Sequence, residues 1–225
     1  MYSLLTALNG SGELAFFGVA TSEISELESS NRFLIQQVFK PISNEYRISV
    51  PTPGSSDEGR PVLFVKQKKL KIREDIRFRT SQNDDSPHVF MIKARTVFEF
   101  RGRHDVLDAE GVPIGTLEKV FGLSLLRSHW RVKDPNGTEL FEAHESSWLI
   151  AIVRRFADLG PDWFSLLTWL PFNFTLKREG EQVGTYKRVL GKFRDRYVLE
   201  LEPAFDADRR LVIAFAIALD ALQDR

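Results

Sequence analysis

Residues Leu211–Leu222 read LVIAFAIALDAL, and from Leu211 to Leu219 every residue is apolar. No side of such a segment can face water. A helix that is apolar all round has to be enclosed all round, by protein or by lipid. At about 1.5 Å per residue it spans only about 18 Å, well short of the roughly 30 Å bilayer core, so protein must enclose it. A strand reading also exists, because Leu211, Ile213, Phe215, Ile217 and Leu219 alternate with smaller residues. Ala214, Ala216, Ala218 and Ala221 favour the helix, and Asp206 and Asp208 stand where an N-cap and first-turn acids belong.

The rest of the chain reads as the wrapping. Short alternating segments start at Leu34–Phe39, Phe64–Lys69, Met91–Arg95, Thr116–Phe121 and Thr185–Leu190. Each is followed by a second: Tyr46–Val50, Asp75–Arg79, Val97–Phe100 or Val106–Leu107, Trp130–Lys133, and Tyr197–Leu201. Turn-forming residues separate them, as in Pro51–Gly54, Asp108–Gly111, Asp134–Gly137 and Arg178–Gly180. Evenly spaced hairpins of this kind predict a mostly β fold, an antiparallel barrel closed so that no strand edge is left bare. A wide barrel needs filling, and the apolar C-terminal helix would fill it.

Composition narrows the function classes. With 43% hydrophobic residues and 18 Phe, the chain can build a large core. Its formal net charge is zero, which argues against nucleic acid and confines any anion binding to a local patch. There is no cysteine, which removes thiol catalysis, thiolate metal sites and S-palmitoylation, and fits a cytoplasmic protein. Met1–Phe17 lacks a basic start and carries Glu13, so it makes a poor signal peptide.

The hairpin repeat, Val65-Lys66-Gln67-Lys68, and the ending Asp208-Arg209-Arg210-Leu211-Val212-Ile213-Ala214 resemble the LURP-one-related family over roughly Asn31 to Gln223. That family is grouped with phospholipid scramblases and the tubby C-terminal domain. The resemblance implies twelve strands threaded by the C-terminal helix. It also implies binding of phosphoinositide by basic residues on the barrel surface, as in tubby domains, although no motif aligns well enough to carry particular residues across. The expected organisation is an extension over 1–30 and a barrel domain over 31–225, with an aromatic insertion at about 148–174.

Two features are candidates for binding. Lys66, Lys68, Lys69, Lys71, Arg73, Arg77 and Arg79 would form a cationic plate if strand alternation turns them outward, away from Ile76 and Phe78. Such a plate suits anionic lipid at about 1 kcal/mol per basic residue, or a protein partner. The plainer reading is a solvated barrel exterior, partly neutralised by Glu74 and Asp75. Lys187, Arg188, Lys192, Arg194 and Arg196 form a second basic cluster with the same ambiguity. In the aromatic insertion, Arg154, Arg155, Trp163 and Trp169 suit contact with a membrane interface, against the plainer reading of a lid over one barrel mouth.

Catalysis has little support. His88, His104, His129 and His144 fall in different hairpins without metal-ligand spacing, and Asp105–Glu118 fails as a calcium loop. No phosphate loop or nucleophile elbow occurs. The expectation is a non-enzymatic binding module with no cofactor and no metal, cytoplasmic or peripheral at the inner membrane face. Lipid scrambling ranks below it, since the palmitoylated cysteines and calcium segment of scramblases have no counterpart here. An enzyme would be signalled by His104, His129 or His144 gathering with Asp or Glu.

Overall fold

A computed structural model describes residues 24–39, 43–51, 59–68, 75–83, 85–94, 102–120, 129–145, 173–189 and 196–221. Six strands come first: β1 (Arg32–Phe39), β2 (Ser43–Val50), β3 (Arg60–Lys68), β4 (Ile76–Arg79), β5 (Phe90–Ala94) and β6 (Arg103–Asp108). Six more follow: β7 (Pro113–Val120), β8 (His129–Lys133), β9 (Glu139–Glu145), β10 (Asn173–Arg178), β11 (Glu181–Arg188) and β12 (Arg196–Leu201). Each pairs antiparallel with its sequence neighbour, and β1 pairs with β12, so the sheet is a closed barrel. The hairpin repeat read in the sequence did not reach β9 or β10. Of the two options left for the third hairpin, Val106–Leu107 lies in β6, while Val97–Phe100 lies outside the described residues.

Alternation places one apolar residue in two on the inside. Phe33, Ile35, Tyr46, Ile48, Val65, Phe78, Ile92, Trp130, Phe141, Leu176, Tyr186 and Leu199 are all at most 2% exposed. The C-terminal helix, Arg209–Ala221, occupies the axis. Its residues Leu211 to Leu219 are 0–3% exposed, which accounts for a segment with no polar side. Each of its larger side chains contributes about 1.5–3 kcal/mol on enclosure, before ordering costs are subtracted. The helix comes so close to β7 that Gly115 has no room for a Cβ: one built there would lie 2.7 Å from a Leu211 methyl and 2.4 Å from the Lys133 carbonyl oxygen.

Both helix ends are tied to the wall. Asp208 is the N-cap, its Oδ1 accepting the Arg210 N–H at 2.8 Å. Buried Arg209 donates to the Ser30 carbonyl (3.0 Å), the Ala207 carbonyl (2.8 Å) and Asn31 Oδ1 (2.7 Å), locking the helix start to the start of β1. An acid near a helix C-terminus is ordinarily unfavourable. Here Asp220 accepts hydrogen bonds from the Tyr46 hydroxyl (2.7 Å) and the Tyr197 hydroxyl (3.2 Å) on the inner wall. The helical turn over 24–29 puts Leu27 into the core cluster and pairs Glu26 with Arg60.

This arrangement gives the barrel two unlike rims. Hairpin turns close one of them, among them Asp134–Gly137, where Asp134 Oδ1 accepts the Thr138 N–H at 2.8 Å and Gly137 takes φ +88°. At the other rim lies Asp220. The strand ends that bracket residues 69–75 and 146–172 both open there, because antiparallel neighbours in a closed barrel return to the same end.

Candidate functional site

With the axis filled by the helix, recognition falls to the outer wall and the rims. On the wall, β2 and β3 pair Glu45 with Lys66 and Arg47 with Phe64, and β3 and β4 pair Phe64 with Arg79. Val65 pairs with Phe78, and both are buried, which turns their neighbours outward. Glu45, Arg47, Phe64, Lys66 and Arg79 thereby line a groove of about 170 Å³. Arg77, two residues from Arg79, is exposed beside it. Arg79 Nε donates to the Ser86 carbonyl at 2.9 Å, which fixes the guanidinium at the groove's edge.

Among the described residues, the groove carries three cationic side chains against the single carboxylate of Glu45. His88, on the segment leading into β5, reports a similar field. Its pKa lies below the ordinary value, first because of burial and next because of the positive charges of Arg77 and Arg79, with Asp75 and Glu110 opposing. The expectation that Lys66, Arg77 and Arg79 face outward is met for all three. Lys68 ends β3, with its side chain outside the description. Lys69, Lys71 and Arg73 lie outside the described residues, as do Arg154, Arg155, Trp163 and Trp169.

The second basic cluster is less coherent. Lys187 is exposed on β11, but it shares a shallow 140 Å³ depression with Glu200 and Glu202, and Glu200 already pairs with Arg32 at 3.2 Å. Lys192 and Arg194 lie outside the described residues.

Comparison with known families now bears on the fold. The sequence profile of LURP-one-related (LOR) proteins matches residues 62–220, from β3 through the axial helix. The chain belongs to the LURP-one-related family. A comparison with curated proteins finds no match. The profile is shorter than the resemblance read from Asn31 to Gln223, and β1 and β2 join the LOR barrel through their pairing: β1 with β12, β2 with β3. Among the described residues of this LOR chain, no helix is long and apolar enough to cross a membrane.

The histidines are less scattered than the sequence suggested. His104 pairs with Leu117 on the inward face, where burial lowers its pKa against the opposing charge of Asp105. His129 and His144, by contrast, are directly paired across β8 and β9, with Glu142 beside them on the same outer face. A linear search for metal-ligand spacing misses this trio, because β pairing rather than chain distance brings it together. Folding the β8–β9 hairpin about Asn136-Gly137, which sets residue 129 opposite residue 144, would have been the signal.

Proposed function

We propose that this LOR protein is a docking module that binds anionic phospholipid headgroups, phosphoinositides above all, on the outer wall of β2–β4, a surface apart from the cluster of His129, Glu142 and His144 that meets the stated signal of an enzyme. The observation that carries the reading is the groove in which Arg47, Lys66 and Arg79 converge around Phe64. A phosphate group set there would meet two guanidinium groups, which suit its geometry, and an ammonium group, with a ring at the base. The filled axis supports the same reading, since it leaves the exterior to make contacts. Residues 31–225 are taken as one barrel domain with an extension over 1–30. The insertion at about 148–174, short of Asn173 and Phe174, which belong to β10, is taken as a second contact, because the strand ends around it and around 69–75 open on one rim. Lys69, Lys71, Arg73, Trp163 and Trp169 are the further contacts proposed on these two segments. The location inferred is the cytoplasm, with reversible attachment to an anionic leaflet.

Co-sedimentation with vesicles tests the reading. The full chain should pellet with phosphatidylcholine vesicles containing phosphatidylinositol bisphosphate and stay in solution with phosphatidylcholine alone. Lys66→Glu combined with Arg77→Glu should abolish pelleting, because each basic residue near the surface contributes about 1 kcal/mol and reversal costs at least as much. Pelleting indifferent to lipid charge, or unchanged in the double variant, would reject headgroup binding. A fluorescent-lipid flip assay on the same vesicles separates docking from lipid transport, which would show as movement between leaflets.

A further inference from the structure

On the opposite side of the strand order from the groove, β8 and β9 present a second constellation. Trp130 and Val132 on β8, and Phe141 and Ala143 on β9, are 0–1% exposed and fix both strands against the core. Their outward neighbours are therefore held on a rigid wall. His129 and His144 face each other across the pair, with ring centroids 4.3 Å apart and planes 21° from parallel. Glu142 stands two residues before His144 and so projects from the same face. One of its oxygens lies 3.0 Å from His129 Nε2 and the other 2.9 Å from His144 Nε2. One ligand atom from each residue falls within 4.8 Å of the other two.

We infer that His129, Glu142 and His144 form a divalent transition-metal site of the zinc class, binding through both Nε2 atoms and one Glu142 oxygen. Zinc holds nitrogen and oxygen ligands at about 2.0–2.2 Å, so tetrahedral neighbours stand roughly 3.3 Å apart. The two carboxylate–imidazole separations are already close to that. What remains is to bring the two nitrogens together around the ion, and His144 is the side chain free to turn: it is 41% exposed, against 22% for His129. Three protein ligands leave a fourth position open to water.

The donor set determines the kind of ion. Two imidazoles and one carboxylate suit Zn²⁺, Cu²⁺ and Ni²⁺, whereas Ca²⁺ and Mg²⁺ require mainly oxygen. Arg131 on β8 and Lys177 on β10, each opposite Glu142 in the register, are unfavourable charges beside the trio, and Glu139 offsets Arg131 at 3.4 Å.

The test uses full-length, tag-free protein freed of metal by chelator dialysis, titrated with Zn²⁺ against a chromophoric chelator and without lipid. The expected result is one ion per chain. His129→Gln, His144→Gln and Glu142→Gln should each weaken binding at least tenfold, His88→Gln should leave it unchanged, and millimolar Ca²⁺ or Mg²⁺ should not compete. Nitrogen-15 NMR of the imidazoles gives a measurement on the unmutated chain. One equivalent of Zn²⁺ should leave His129 and His144 protonated at Nδ1, with Nε2 bound to the ion. Zn²⁺ binding that is absent, equal in all four variants, or without effect on these two rings would overturn the site.

Discussion

Replacing Phe215 by Ala probes whether the helix is enclosed as described. Phe215 is 0% exposed and meets three rings edge-on, with centroids at 5.5 Å to Phe141 and 6.4 Å to both Trp130 and Phe174. Truncating a buried Phe costs about 3–5 kcal/mol. The upper half of that range applies here. Each lost edge contact removes a further share of the roughly 0.5–1.5 kcal/mol that such pairs add. The walls that would have to collapse into the cavity are strands β8, β9 and β10, hydrogen-bonded to one another and unable to close inward. A loss of about 4–5 kcal/mol follows, equivalent to a fall in Tm of about 8–20 °C for a chain of this size. Urea unfolding followed by tryptophan fluorescence reads it directly, and Val189→Ala, at a 38% exposed position, serves as the control. A Phe215→Ala loss below about 1 kcal/mol, or no larger than the control's, would mean that the helix does not lie inside the barrel.

Gly115→Ala should destabilise by about 1–3 kcal/mol in the same assay, because the added methyl meets the Lys133 carbonyl and Leu211 at distances that force the helix or the wall to move; an unchanged midpoint would refute the close approach of helix and β7. Stability should also fall on mild acidification. The pKa of His104 in the folded protein lies below the ordinary 6.5 through burial, so below that pH the unfolded chain binds the extra proton more readily and unfolding is favoured. Urea midpoints at about pH 7.5 and about pH 5.5 should differ less in His104→Gln than in the natural chain, with His88 and His129 supplying the remainder; equal differences would refute it.

How much of the candidate sites could be read along the chain differs between them. Lys66, Arg77 and Arg79 were readable as outward-facing, because alternation against Val65, Ile76 and Phe78 determines the side from which a strand residue projects. Neither Arg47 nor Glu45 belonged to the plate on sequence grounds. They join it only because β2 pairs with β3 in the register that sets Glu45 opposite Lys66. The trio of His129, Glu142 and His144 was missed for the same reason.

What the sequence determined alone was the architecture. A nine-residue apolar run with no polar side has one stable place in a chain of short alternating hairpins, and burial free energy puts it at the centre whatever the detailed register. Local chemistry was equally legible: the Asp208 cap and the turns at Asp108 and Asp134 depend on residues a few positions apart. Tertiary structure alone decided which side chains from different strands face one another, how Arg209 reaches the start of β1, and how Asp220 is held by Tyr46 and Tyr197. The physical reason is that strand alternation repeats every two residues and specifies a side, while the partner across the sheet depends on register, which is set by turn lengths, bulges and the packing of the whole core.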